Sequence, residues 1–350
     1  MIRAKRQRLS PRTDSASLSL MTSWSKIPKI ELHRHLDCSI RPSTLRELLT
    51  ALGEPVPADQ ERFAEMYLVK EPMRDLEAVL RKFLAAQKAL SSETVLTRIT
   101  EECIRDAQAE GIEILELRFA PTFIQDGHPG LDFEAIHRAI AAGVDRCRDL
   151  AVKVGLIYIA QRTKPVAIAD KVLSFAIEAH QARPDLVVGV DLADNEAGFD
   201  PAPFAPHFMR AKKAGLGITI HAGEAVIPEA AKNVITAIEK LGAERIGHGI
   251  QIIHNTEVLK RVAREGVLLE ICPTSNVLTN SVPTLPAHPI RQLMDAGVKV
   301  CVNTDDPGVF DYNLTHEYRA LAASHGFTEI EFSRMNAWAR AASFVSERTV

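Results

Sequence analysis

The chain has 350 residues, 46% of them apolar and 25% charged, and a formal net charge of −3; this is the profile of an ordinary globular protein, long enough for one barrel-sized domain or two smaller ones. A charge so near zero gives no footing for a nucleic-acid backbone or an anionic membrane as the main partner, and no apolar run reaches the roughly 18–20 residues that span a bilayer. Five cysteines without a CxxC pair argue against a disulfide framework and for a reducing compartment, so a cytoplasmic protein is expected.

In chain order, residues 1–25 come first, with Arg3, Lys5, Arg6, Arg8 and Arg12 against a single Asp14 and a Ser-rich stretch behind them. With no apolar core after the charges this is not a secretory signal. It reads as a disordered extension in preference to an organelle transit peptide, and Met21 is an alternative start. Residues 26–350 then hold eight short β-branched or apolar runs: Lys29–Leu32, Ile112–Phe119, Val154–Ala160, Leu186–Leu192, Gly217–Ile220, Arg245–Gly247, Val267–Ile271 and Lys299–Asn303. Segments between them, such as Phe133–Lys153, Pro165–Ala182, Pro203–Ala214 and Ala230–Leu241, space apolar residues by three and four. Strand followed by helix, eight times over, predicts a single (β/α)₈ barrel. Residues 42–97 are longer than one barrel helix needs and predict an inserted helical cap after the first strand, with Leu76, Leu80, Phe83 and Leu84 as its apolar face; extra packing on the barrel exterior is the plainer alternative.

The informative feature is where the rare polar side chains fall. Run one leads into His33-Arg34-His35, run five into His221-Ala222-Gly223-Glu224, run six into Gly247-His248-Gly249 and run eight into Asn303-Thr304-Asp305-Asp306. Four strands thus deliver histidines or carboxylates at their C-terminal ends, the face on which barrel enzymes build active sites. His33 and His35, two apart on a strand, point to one side. Side by side in a barrel interior they ask for a shared cation, although alone such a pair is more often two solvated loop histidines. His221 from another strand and Asp305 strengthen the case, since three imidazoles and one carboxylate suit zinc and leave a position for water. Glu224 follows a glycine that permits a sharp turn, setting its carboxyl beside the metal without making it a ligand; an ordinary carboxylate at a helix N-terminus is the alternative. Glycines on both sides of His248 leave its ring room to reach inward, as they also would for an idle turn histidine, and Asp305-Asp306-Pro307-Gly308 reads equally as turn chemistry.

Seven segments in order, spread over about residues 26 to 345, carry a family resemblance: Lys29-Ile-Glu-Leu-His-Arg-His-Leu-Asp37, Glu116-Leu-Arg118-Phe-Ala-Pro121, Asp191-Leu-Ala193, Ile220-His-Ala-Gly-Glu224, Arg245-Ile-Gly-His-Gly249, Cys272-Pro-Thr-Ser-Asn276 and Asn303-Thr-Asp-Asp-Pro307. The chain resembles the adenosine deaminase family of amidohydrolases. The resemblance implies one zinc ion per chain, held by His33, His35, His221 and Asp305. It further implies Glu224 near purine N1, His248 beside the metal-bound water, Asp306 near N7, His248 and Asp306 together orienting that water and assisting its proton transfer, and Asp37 on the ribose 5′-hydroxyl. The implied reaction is hydrolytic deamination of adenosine and 2′-deoxyadenosine with release of ammonia, in which Glu224 protonates N1 and needs a raised pKa to do so. A carboxylate at Asp37 would repel a 5′-phosphate, so a purine nucleoside is the expected small-molecule partner. The His-x-Glu and Pro-Cys-x-x-Cys signature of the other zinc deaminases is absent.

Three places depart from the family pattern. Cys38 and Asp194 stand where the family has glycines, the second being the residue whose backbone N–H reaches purine N3, and the chain ends at Val350 where relatives continue into a further helix. These leave open a related substrate on the same site, whether adenine, a modified adenosine or a futalosine-like nucleoside, and more remotely a non-catalytic nucleoside-binding relative. Asp37 argues against the free base, and the complete ligand set argues against lost catalysis. An Asp194 carboxylate aimed at N3 would set acceptor against acceptor. It is expected to turn away from the purine, the alternative being that it meets the 2-amino group of a 2,6-diaminopurine riboside.

Overall fold

The computed structural model describes Trp24, residues 27–72 and residues 76–345. Apart from Trp24, the extension expected over residues 1–25 lies outside the described residues, as do the side chains of Leu76 and Leu80. Eight parallel strands follow one another in sequence order around one sheet: β1 (Lys29–His35), β2 (Ile112–Phe119), β3 (Lys153–Gln161), β4 (Val187–Ala193), β5 (Gly217–Ala222), β6 (Arg245–His248), β7 (Leu268–Ile271) and β8 (Lys299–Val302). Helices follow every strand, which makes the chain a (β/α)₈ barrel. The strands are almost wholly buried because side chains fill the inside and helices cover the outside, which is why they read as apolar runs without alternation.

Two helical expectations shift. The helix expected over Phe133–Lys153 stops at Asp145, because Cys147 N–H and Leu150 N–H turn back to the carbonyls three residues earlier, and Lys153 already belongs to β3. The segment expected over Pro203–Ala214 becomes helical only at Ala205, after a 3₁₀ turn at Ala202–Phe204.

β8 meets β1 through a single bridge, Arg34 to Asp305. His35 N–H donates to the Asp305 carbonyl (2.8 Å) and Asp305 N–H to that of His33 (3.0 Å). Below the bridge, side chains close the seam. Asn303 Oδ1 accepts from Leu32 N–H at 2.9 Å, and the Glu31 carboxylate accepts both the N–H (2.9 Å) and the hydroxyl of Thr304. A register shift of β1 against β2 between Glu31 and Arg34 marks a bulge beside His33, a device that re-aims side chains next to active sites.

The barrel interior is charged where many barrels are aliphatic. Arg118 pairs with Asp191 (2.8 Å) and Glu270 (2.7 Å), and Arg245 with Glu270 (2.6 Å) and Glu116 (2.5 Å), all fully buried. Such charges are tolerated because each is paired and hydrogen-bonded. The floor is closed by Phe344, whose ring lies 3.6 Å from the Arg245 guanidinium and whose N–H donates to Glu116 (2.6 Å).

Between β1 and β2 the chain forms four helices: α1 (Pro42–Ala51), α2 (Gln60–Tyr67), α3 (Leu76–Ala89) and α4 (Glu93–Ala109). Helix α4, capped by Ser92 accepting from Val95 N–H at 3.3 Å, packs on β2 as the barrel's own helix. Helix α3 brings Phe83 to the cavity at the C-terminal strand ends. All five cysteines are free and buried, and among the described residues no helix is long and apolar enough to cross a membrane.

Candidate active site

The strand ends converge on one point. His33 and His35 come from β1, His221 from β5, His248 from β6, and Asp305 follows β8. His248 (φ +62°) and Asp305 (φ +63°) occupy the left-handed region, which costs a non-glycine residue on the order of 1 kcal/mol and persists where the surroundings hold it. A Cβ on Gly247 would stand 3.0 Å from His33 Cε1 and 3.3 Å from the His221 Cα. The glycine before His248 therefore clears space for His33 rather than for the His248 ring, as the sequence had suggested. Gly223 (φ +71°) supplies the turn that carries Glu224.

One ligand atom from each of His33, His35, His221 and Asp305 lies within 4.8 Å of the other three. His35 Nε2 is 3.3 Å from His221 Nε2, and Asp305 Oδ1 is 3.2 Å from the Nε2 atoms of both His33 and His35. The far ring nitrogens meet carboxylates: His33 Nδ1 lies 2.9 Å from Glu270, and His221 Nδ1 2.8 Å from Asp191. Glu270 holds the hydrogen of His33 on Nδ1 and leaves its Nε2 lone pair facing inward. Lone pairs at this separation repel unless a cation sits among them, and His33 Nε2 is buried without a hydrogen-bond partner.

The proton affinities of His33, His221 and Asp305 suit ligands. Burial, with Arg118, lowers the pKa of His33, and burial lowers that of His221 well below its ordinary value. Burial alone would raise Glu270 and Asp305. The guanidinium groups of Arg118 and Arg245 hold the first well below the usual range, and the imidazoles of His33 and His35 hold the second there. A second group, His33, His248, Cys272 and Asp305, is equally compact, but His248 Nδ1 faces the Asn276 amide nitrogen at 3.0 Å instead of a carboxylate.

A cavity of about 550 Å³ opens over the cluster, and every residue singled out from the sequence lines it except His33, which lies beneath, fully buried. Glu224 accepts from Thr279 Oγ1 (3.2 Å), and its other oxygen lies 3.5 Å from His248 Nε2. Burial and then the neighbouring Asp305 push the Asp306 carboxyl well above its ordinary range. Burial, with Asp306 and Asp37 beside it, pushes the Cys38 thiol well up. Asp37 Oδ2 accepts from Ala120 N–H at 3.0 Å, while Oδ1 is buried without a hydrogen-bond partner, 4.0 Å from His35 Nδ1. Asp194 sits at φ +81°. Its Oδ1 accepts from Asn195 N–H (2.7 Å) and its Oδ2 from Gln161 Nε2 (3.1 Å) and Thr163 Oγ1.

The residues that hold these groups in place received no role from the sequence, although Asp191 and Ser275 lie in segments that carry the resemblance. Glu270 and Asp191 orient two of the histidines; a lone acid inside the apolar run of β7 was the available signal for the first. Ser275 Oγ donates to Asp305 Oδ2 at 2.6 Å. Glu196 gathers the Glu224 turn. Its Oε1 accepts from Gly223 N–H (2.9 Å) and Asn233 Nδ2 (2.9 Å), and its Oε2 from the N–H groups of Glu224 (3.1 Å) and Ala225 (3.2 Å). Nothing in the local pattern marked it.

Fold and site together define a barrel amidohydrolase. The chain belongs to the adenosine deaminase family, whose model, described as "Adenosine deaminase", matches residues 28–349. The adenosine deaminase of Escherichia coli is 37% identical over 304 residues, 86% of this chain and 89% of its own. Among solved structures, an adenine deaminase from Arthrobacter aurescens is 29% identical with a TM-score of 0.81, covering 91% of this chain and 94% of that one. An amidohydrolase from Burkholderia ambifaria with bound zinc is 26% identical with a TM-score of 0.82, covering 96% and 91%. The protein is accordingly a hydrolase acting on a C–N bond.

Proposed function

We propose that the protein deaminates adenosine and 2′-deoxyadenosine to the corresponding inosine form with release of ammonia, using one zinc ion held by His33, His35, His221 and Asp305. One observation carries the choice of substrate. The cavity that opens over the candidate ligand cluster and holds Glu224 is also lined by Asp37, one of whose oxygens lacks a hydrogen-bond donor, and among its described lining residues there are six carboxylates and no lysine or arginine. A 5′-phosphate beside Asp37 would meet like charge. A free base would leave the Asp37 oxygen without the hydroxyl donor it lacks. Phe83, Phe123, Ile159 and Val226 line the same cavity and supply apolar surface for a purine.

When bound, zinc supplies the Lewis acidity that makes water nucleophilic at neutral pH. Attack at C6 requires an electron-poor ring, and Glu224, carried on the Gly223 turn, is the group that gives a proton to N1. As the C6–O bond forms, one water proton passes to Asp306, which lines the cavity beside Asp305. That proton goes on to the amino nitrogen. The C6–N bond then breaks, ammonia leaves, and the remaining hydroxyl proton restores Glu224. With both oxygens of Asp194 engaged by Asn195, Gln161 and Thr163, its carboxylate is not free to meet a 2-substituent.

Ammonia release from adenosine, 2′-deoxyadenosine, adenine and AMP tests the reading. The nucleosides should exceed the other two in kcat/KM by at least about 100-fold; faster turnover of adenine or AMP would overturn it.

A further inference from the structure

Hydrogen-bond directions behind His248 determine which of its ring nitrogens carries the proton. They start from a donor whose sense is fixed. The backbone N–H of Ile290 donates to His288 Nδ1 at 3.1 Å, so Nδ1 accepts and a neutral His288 carries its hydrogen on Nε2. That Nε2–H faces Asn276 Oδ1 at 3.2 Å, which orients the amide so that Asn276 Nδ2 donates to His248 Nδ1 at 3.0 Å. His248 Nδ1 is therefore an acceptor. Its hydrogen sits on Nε2, facing Glu224 Oε2 at 3.5 Å and Asp305 Oδ2 at 3.9 Å. His288, Asn276 and His248 are 2%, 0% and 1% exposed, so water does not compete for these groups, and reversing any link would set donor against donor in a dry interior. His288 stays neutral, since burial, then His325 and His248, lower its pKa to about 3.

We propose that His288 and Asn276 are positioning residues that hold His248 as the Nε2–H tautomer, so that in the deamination His248 donates a hydrogen bond to the oxygen attacking C6 and is not the base. This rests on the function proposed above. It takes the water proton away from His248, because a base at His248 Nε2 would need the lone pair that the relay denies it. It also selects between the two compact ligand groups: an Nε2–H offers no lone pair to a cation, which leaves His33, His35, His221 and Asp305.

The test uses zinc-loaded protein with ¹⁵N-labelled histidine, the His248 ring signals being assigned by their loss in His248→Gln. The parent should show Nε2–H. Asn276→Asp places a carboxylate opposite Nδ1 and should move the hydrogen there. His288→Leu removes the donor that orients Asn276 and should give a mixture. His288→Gln, which offers an amide N–H near the Nε2 position, should restore the parental signal. On adenosine, Asn276→Asp should lose roughly 10- to 100-fold in kcat with KM changed less than about threefold, while His288→Gln stays within about threefold of the parent. An Nδ1–H ring in the parent overturns the proposal, as does Asn276→Asp with a moved hydrogen and parental kcat. If Asn276→Asp does not fold, His288→Leu decides: a parental rate with unmixed Nε2–H removes His288 from the role. The ring signal needs no substrate, so failure of adenosine as substrate is read separately from failure of the relay.

Discussion

Glu196→Gln probes how Glu224 is held. In the parent, Glu196 Oε2 accepts the N–H groups of Glu224 (3.1 Å) and Ala225 (3.2 Å), and Oε1 accepts Gly223 N–H and Asn233 Nδ2, both at 2.9 Å. Glutamine keeps one acceptor oxygen and replaces the other with an NH₂ group, so two donors must lose a partner. Hydrogen bonds to a charged acceptor are worth about 1.5–3 kcal/mol each, and the low end applies where water can reach the turn. The Glu224 side chain is 25% exposed, so the pair is worth about 3 kcal/mol, enough to lower the fraction of molecules with Glu224 in place by roughly 100-fold. His221 is held separately, by β5 and Asp191. Glu196→Gln should therefore keep its zinc, as read by elemental analysis, while kcat on adenosine falls about 100-fold. A kcat within about threefold of the parent would refute the reasoning, and loss of zinc in step with activity would move the effect to His221.

The other predictions concern the groups around this turn. Glu224→Gln should retain zinc and lose roughly 10²–10⁴ in kcat, the worth of a positioned proton donor; near-normal turnover removes Glu224 from N1. Asp194→Gly should leave the kcat/KM ratio of adenosine to 2,6-diaminopurine riboside within about twofold of the parent, since the Asp194 carboxylate is already engaged; a tenfold change would mean that it meets the purine. Burial alone would lower the pKa of His35, but the carboxylates of Asp306, Asp305 and Asp37 outweigh it and push it up to about 9 in the metal-free protein. His35 must lose that proton to bind zinc, so affinity measured by competition with a chelator should rise about tenfold per pH unit up to about 9 and level off above. An affinity independent of pH between 6 and 9 would contradict it.

Much of the fold was legible because each strand is an apolar run a few residues long between helices with amphipathic spacing, even at β6, where the run Arg245–Gly247 is a single residue short of the observed strand. The site was legible because its groups sit at strand ends, where a histidine or carboxylate stands out against valine and isoleucine. The supporting groups were harder to see. Glu196 acts from a loop on another loop, and His288 reaches His248 only through Asn276, so both depend on contacts between segments far apart in sequence. The role of Gly247 was misassigned for the same reason, since the ring it accommodates, His33, comes from the opposite end of the chain. Asp194 and Cys38 looked like departures from a family pattern. In the fold, Asp194 keeps a positive φ that would suit a glycine, and donors on Asn195, Gln161 and Thr163 that no local motif announces hold its carboxylate.

Three histidines and Asp305 are proposed to hold the zinc ion on which deamination depends, and metal content measured beside activity is the decisive observation. Protein purified without added metal should carry about one zinc per chain. Removing it with a strong chelator should abolish ammonia release from adenosine, zinc should restore it, and His221→Ala should carry little metal and no activity. Full turnover of adenosine by protein shown by elemental analysis to hold no transition metal would contradict the account.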